Sequence, residues 1–180
     1  MQTVKLDRYI TLALEAGISG VLEITPDQVT TAPWVPLKCQ FGCPNYGLNY
    51  TCPPQTLRSE QTRTLLDSYG RLLLFHIQSP PSPERGKRTA EILALLTDME
   101  GELFKDGCYQ AFLLVAGPCR LCKTCGVIDG VPCRNRHRAR PSLESFGIDV
   151  FQTARDNGFP IETLHHREET RNQFCLMLVD

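Results

Sequence analysis

The chain has 180 residues, 42% of them hydrophobic, with 19 Lys and Arg against 20 Asp and Glu for a formal net charge of -1. That length supports one core, read here as a single domain over residues 1–180, and near-neutrality gives no global attraction to nucleic acid or to an anionic membrane. The nine cysteines are an odd number and cannot all pair. No N-terminal stretch reads as a signal peptide and no apolar run reaches membrane-span length, so a cytoplasmic location is expected, where clustered cysteines more often hold metal than form disulfides.

In chain order, residues 5–16 predict a helix with Leu6, Ile10 and Ala13 on one face and Gly17 at its stop. Two short β-favouring runs within residues 20–31, broken by Pro26, lead to a first cysteine group, Cys39, Cys43 and Cys52, spaced C-x3-C-x8-C. Gly42, Gly47, Pro44, Pro53 and Pro54 predict that this group sits on a loop without regular structure. Three local thiols leave two possibilities for a bound metal. Either a remote residue completes the site, with Cys108, Cys175 and His76 as candidates, or one coordination position stays open to a small molecule, as in reactive zinc sites.

Residues 58–68 predict a helix, and the continuous apolar run at residues 71–78 predicts a buried strand that holds His76 as a core residue. The longest predicted helix, residues 84–105, carries Ile92, Leu95, Leu96, Met99 and Leu103 at helical spacing. Residues 109–116 read as a second buried strand, with Cys108 as a strand-edge thiol before it. Strand, helix, strand is the pattern of a right-handed βαβ unit. The expected architecture is therefore α/β, a small and mainly parallel sheet flanked by helices, with two cysteine-rich loops as its working parts.

The second predicted strand runs directly into Cys119, Cys122, Cys125 and Cys133, spaced C-x2-C-x2-C and then seven residues. Three thiolates at this interval on a tight loop suit three corners of a cubane, with the fourth supplied from further along. In bacterial ferredoxins a proline follows the remote cysteine, whereas here Pro132 precedes Cys133. A structural zinc site is the rival, although it usually presents two separated C-x2-C pairs. The leading expectation is one complete 4Fe-4S cluster on these four residues, with Cys39, Cys43 and Cys52 holding a second or site-differentiated cluster, in an electron-transfer protein. The alternatives are a non-redox enzyme using an open iron and a zinc-stapled interaction module.

After Cys133 come Arg134, Arg136, His137, Arg138 and Arg140. They read as a solvated loop pairing with carboxylates at the edge of the core, or more sharply as a patch for a small anion or an acidic redox partner. Residues 142–146 predict a short helical turn, Asp149 caps a helix over residues 150–157 with Gln152 placed for a capping box, and Gly158 stops it. His165 and His166 are weak metal candidates on an exposed stretch. Residues 174–179 predict a last buried strand, with Cys175 as a core thiol. No P-loop, dinucleotide glycine fingerprint, nucleophile elbow or aromatic-basic alternation is present, so no motif supports nucleotide, serine-hydrolase or nucleic-acid chemistry.

Several motifs together resemble a bacterial and archaeal family of predicted metal-binding proteins known as a domain of unknown function. They are Cys39-x3-Cys43-x2-Tyr46-Gly47, Cys52-Pro53-Pro54, Gly117-Pro118-Cys119-x2-Cys122-x2-Cys125 and Arg140-Pro141-Ser142-x-Glu144-x2-Gly147-Ile148-Asp149-Val150. The resemblance covers most of the chain. It implies metal or iron-sulfur binding through Cys39, Cys43, Cys52, Cys119, Cys122, Cys125 and Cys133, in proteins common among anaerobes, and supplies no reaction. The basic stretch after Cys133 departs from the family pattern, where another proline is frequent, and this bears on a shared partner surface rather than on the ligands.

Overall fold

Along β2 (Leu72–Ser79) successive side chains alternate between two cores, Leu73, Phe75 and Ile77 into one and Leu72 and Leu74 into the other. Strand β4 (Arg171–Leu178) splits in the same way, with Cys175 and Met177 on the first face and Phe174, Leu176 and Leu178 on the second. The first face is covered by α1 (Asp7–Glu15) through Tyr9 and Ala13, and by α4 (Arg85–Lys105) through Ile92, Leu96, Met99 and Leu103. The second is covered by Leu66 of α3 (Ser59–Leu66), Ala154 of α5 (Val150–Asp156) and Phe146 of a 3-10 turn at Glu144–Phe146. Each fully buried leucine or phenylalanine contributes about 1.5–3 kcal/mol, so these strands anchor the fold. This computed structural model describes residues 4–166 and 168–180.

The sheet has the order β1-β2-β4-β3, with β1 at Gly20–Ile24 and β3 at Phe112–Leu114, and every ladder in it is antiparallel. The expectation of a mainly parallel sheet is therefore overturned. Strands β2 and β3 both run antiparallel to β4, with Leu73 and Leu113 each opposite Met177, so they point the same way without touching. The C-terminal strand enters the gap that the helical crossover leaves, and a strand, helix, strand pattern does not reveal whether its two strands are neighbours. The apolar runs misled for a related reason. Continuous hydrophobic strands signal a sheet buried on both faces, which is usual for parallel sheets, but here helices cover both faces of an antiparallel one.

Most other predicted elements form, with further corrections. The β-favouring run at residues 29–31 makes no strand, only a single bridge from Thr31 to Ile148, and the strand expected over residues 109–116 spans only Phe112–Leu114. Cys39 lies in a helix, α2 (Val35–Gly42), where a loop was expected. Pro36 occupies the first turn, where its missing N–H is no loss and its fixed φ favours helix entry. At the other end of the chain Asp149 Oδ1 accepts from the Gln152 N–H at 3.0 Å, the expected cap of α5. The Gln152 side chain instead donates to Asp156 at 2.7 Å, so no reciprocal capping box forms.

Candidate metal centre

The segment at residues 117–140 is an excursion closed at its base. Val115 N–H donates to Pro141 O at 2.8 Å and Leu143 N–H to Val115 O at 3.3 Å, so the chain leaves the sheet and returns at one point. Within it Ile128 N–H donates to Cys125 O and Val131 N–H to Gly126 O, folding the seven-residue spacer back on itself and returning Cys133 towards Cys125. A Cβ at Gly126 would lie 2.6 Å from Val131 O and 2.8 Å from Pro132 O, so this fold-back requires glycine.

The first cysteine segment is tied to the chain just beyond that base. Ala32 N–H donates to Gly147 O at 2.9 Å, Asp149 N–H to Thr30 O at 2.9 Å, and Thr56 Oγ1 to Ser145 O at 2.6 Å. Gly147, at φ 71, also meets Ser59 so closely that a Cβ there would sit 2.9 Å from the serine Cβ. Residues 30–32 and 56–59 thus both rest on residues 145–149, which hold the two ends of the first segment beside the second. Tyr50 completes the junction by donating its hydroxyl to Val131 O at 2.9 Å.

These ties bring the two groups together, a point that spacing alone left open. Cys119, Cys122, Cys125 and Cys133 line one cavity, whose wall also includes Tyr50 and Thr51 from the first segment. Cys39 and Cys43 lie one helical turn apart, with Cys43 N–H donating to Cys39 O at 3.3 Å. Among the described residues no three His, Cys, Asp or Glu side chains are drawn up around a single point, so the thiols line the site without being closed on a centre.

The electrostatics record the same convergence. Burial pushes the Cys119 thiol above its ordinary value, its Leu121 backbone hydrogen bond opposes this, and Cys133, Cys122 and Cys125 raise it further. Burial likewise raises Cys52, followed by Cys43, Cys39 and, across the two groups, Cys119. Cys39 is raised by burial, then by Cys43 and Glu144. Mutual repulsion among incipient thiolates is what a bound cation would reverse, since metal ligation requires the thiolate.

Two polar groups support a thiolate-bound centre at this place. Asn135 Nδ2 donates to Cys122 Sγ at 3.0 Å, the kind of N–H to sulfur contact that orients a ligand and tunes its metal. Thr51 Oγ1 is buried in the cavity wall without a hydrogen-bond partner among the described residues. Its hydroxyl lies close enough to favour the Cys52 thiolate, although it makes no hydrogen bond to the thiol in this conformation. The soft donor set, the sulfur-directed amide and the orphaned hydroxyl all fit zinc or an iron-sulfur cluster held by cysteine.

The candidate remote ligands of the first group lie elsewhere. His76 is buried, stacks on Phe174 with ring centroids 4.9 Å apart, and shares a 2.8 Å hydrogen bond between Nε2 and Asn172 Oδ1. Cys108 faces Asp180, with Sγ 3.9 Å from Oδ2, and Cys175 is a core thiol whose complete burial pushes it up to about 12. His165 and His166 are exposed. Of the arginines, Arg134 pairs with Asp129, Arg138 with Asp98 and Arg140 with Glu100, while Arg136 makes no ion pair or hydrogen bond among the described residues. Sequence reasoning passed over Asn135, Tyr50, Thr51 and Glu144 as parts of the site; the last stood within a recognised motif, and the others carry no spacing signal.

A family model described as predicted metal-binding protein (DUF2284) matches residues 22–179, which include all seven of these cysteines. Neither the curated proteins nor the solved structures contain a match to the chain.

Proposed function

The chain belongs to this family of predicted metal-binding proteins, and from that premise we propose that Cys119, Cys122, Cys125 and Cys133 hold a 4Fe-4S cluster in a cytoplasmic electron-transfer or redox accessory protein of anaerobic metabolism. The observation that carries this reading is the lining of one cavity by all four thiols, with Asn135 donating to one of their sulfurs at 3.0 Å. A bound cluster supplies a one-electron couple. The chain's own residues position the sulfurs, donate to Cys122 through Asn135, and half-bury the centre under Tyr50 and Thr51. Arg136, exposed and without an ion pair among the described residues, is the group on this rim for docking an acidic redox partner.

A second reading has its own support. Among the described residues Cys108 and His76 make contacts remote from Cys39, Cys43 and Cys52, and Cys175 is enclosed in the core with a backbone contact to Ala116, which favours a three-thiolate site with one position open to a small molecule. Beside it lies Glu144, whose carboxylate acts on the Cys39 thiol.

The test is iron, acid-labile sulfide and zinc content per chain on protein purified without oxygen, read with its visible spectrum. About four irons and four sulfides support one cubane and about eight support two. Zinc without sulfide overturns both redox and open-iron readings and leaves a cysteine-stapled interaction module.

A further inference from the structure

A cavity of about 270 Å³ opens between α4 and residues 115–121, sharing Cys119 and Leu121 with the four-thiol cavity. Among the described residues five arginines line it, Arg85, Arg120, Arg138, Arg140 and Arg171, and no Asp or Glu does. Three of the five are engaged: Arg138 with Asp98, Arg140 with Glu100, and Arg85 with the carbonyls of Pro80 and Glu169. Arg120 and Arg171 make no ion pair or hydrogen bond among the described residues. Gln173 adds a polar group to the wall; its Oε1 accepts from Ser79 at 3.2 Å, and its amide N–H groups make no hydrogen bond among the described residues. Thr89 and Thr97 in the wall give their hydroxyl protons to carbonyls of their own helix, and Leu93 and Ala94 of α4 and Val115 supply apolar surface.

Uncompensated positive charge around an apolar chamber selects for one ligand chemistry. The volume lies near the lower end of the roughly 300–1,000 Å³ typical of small-molecule sites. We propose that this cavity binds a small organic anion, a carboxylate or phosphate group on a short apolar body, with the anionic group drawn to Arg120 and Arg171 and the body against Leu93, Ala94 and Val115. Cys119 stands in the wall of this cavity and of the four-thiol cavity. A ligand here therefore touches a residue of the metal centre, and its charge is felt there. This anion site goes beyond the cluster assignment and holds whichever metal the cysteines carry.

Calorimetric titration of the anaerobically purified full chain tests it, with hexanoate, hexyl phosphate, hexylammonium and inorganic phosphate as probes. Hexanoate or hexyl phosphate is expected to bind and hexylammonium not to; the tighter of the two anions identifies the headgroup. Replacing both free guanidiniums, Arg120→Gln with Arg171→Gln, is expected to weaken that anion by about tenfold or more with an unchanged melting temperature, as loss of charge-assisted hydrogen bonds requires. Ala94→Phe, which fills the chamber, is expected to abolish binding. The proposal is overturned if neither anion binds at about 10 mM, a concentration that would reveal even a ~4 kcal/mol interaction. It is equally overturned if hexylammonium binds as well as hexanoate, if inorganic phosphate binds as tightly as hexyl phosphate, or if the double variant retains full affinity. Metal content is measured on the same samples, so failure of the cluster assignment and failure of this site remain separate results.

Discussion

Asn135 aims its side-chain amide at Cys122, Nδ2 standing 3.0 Å from Sγ, across thirteen residues of a loop that has no regular structure. In the proposed cluster, a donor to a ligating sulfur stabilises the more negative, reduced state. Asn135→Leu is therefore expected to lower the midpoint potential by tens of millivolts, from a difference of about 1 kcal/mol in the strength of that hydrogen bond between the two oxidation states. Film voltammetry on the two proteins reads this directly, and an unchanged or raised potential would remove Asn135 from the account.

Seven of the nine thiols lie on the two cysteine segments and two, Cys108 and Cys175, in the body of the fold, and substitution distinguishes them. Cys122→Ser is expected to lose the visible charge-transfer band, whereas Cys108→Ala and Cys175→Ala keep the metal content of the parent. Cys175 is fully buried, so its truncation is expected to cost about 1 kcal/mol of stability through lost packing alone. Loss of metal from either core variant, with the fold intact, would show that the site extends further than residues 39–52 and 119–133.

Gly126 has backbone oxygens where a side chain would start, Val131 O at 2.6 Å from a built Cβ. Gly126→Ala must push the spacer open and move Cys133 away from Cys125. The expected outcome is a protein with reduced metal content but a core that melts as before, because the loop lies outside both apolar clusters. Circular dichroism and metal analysis on one sample check it; full metal loading by the variant would contradict the fold-back.

Glu100 joins three parts of the structure. Its carboxylate accepts from Arg140 Nε at 2.7 Å and Nη2 at 2.5 Å, and from the Leu113 N–H at 2.8 Å, tying α4 to β3 and to the end of the cysteine loop. Both side chains are only 13% exposed. Glu100→Gln leaves Arg140 without its counter-charge and is expected to cost about 2–3 kcal/mol, somewhat below the ~3–5 kcal/mol for breaking a fully buried pair. Thermal or urea unfolding measures it, and an unchanged midpoint would mean the clamp is not structural.

The raised thiols at Cys39, Cys52 and Cys119 set a pH dependence of definite sign. In the metal-free fold they stay protonated to higher pH than in the unfolded chain. The stability this contributes is fully present below the unfolded thiol value, about 8.5, and is lost as the pH rises through the folded values. Metal loading displaces those protons, so apparent affinity should climb with pH across the neutral range and acid should be released on titration. A pH-independent affinity with no proton release, measured by calorimetry in buffers of different ionisation enthalpy, would argue against thiolate ligation.

The amino-acid sequence by itself determined what depends on neighbours along the chain. Helix α4 was legible from its leucine and methionine stripe, the α5 cap from Asp149, the buried strands from their apolar runs, and the candidate ligands from cysteine spacing. Thiol clustering announces metal chemistry whatever the fold around it. Tertiary structure alone decided the rest. The insertion of β4 between β2 and β3, which makes the sheet antiparallel, rests on hydrogen bonds between residues 62 to 106 positions apart, and no local preference encodes them. The meeting of the two cysteine groups depends in the same way on hydrogen bonds from the backbone of residues 30–32 and the Thr56 hydroxyl to residues 145–149. The arginine-walled cavity beside Cys119 exists because α4 and the returning loop place charges from four separate stretches of chain around one space, and charge composition along a sequence carries no record of that space.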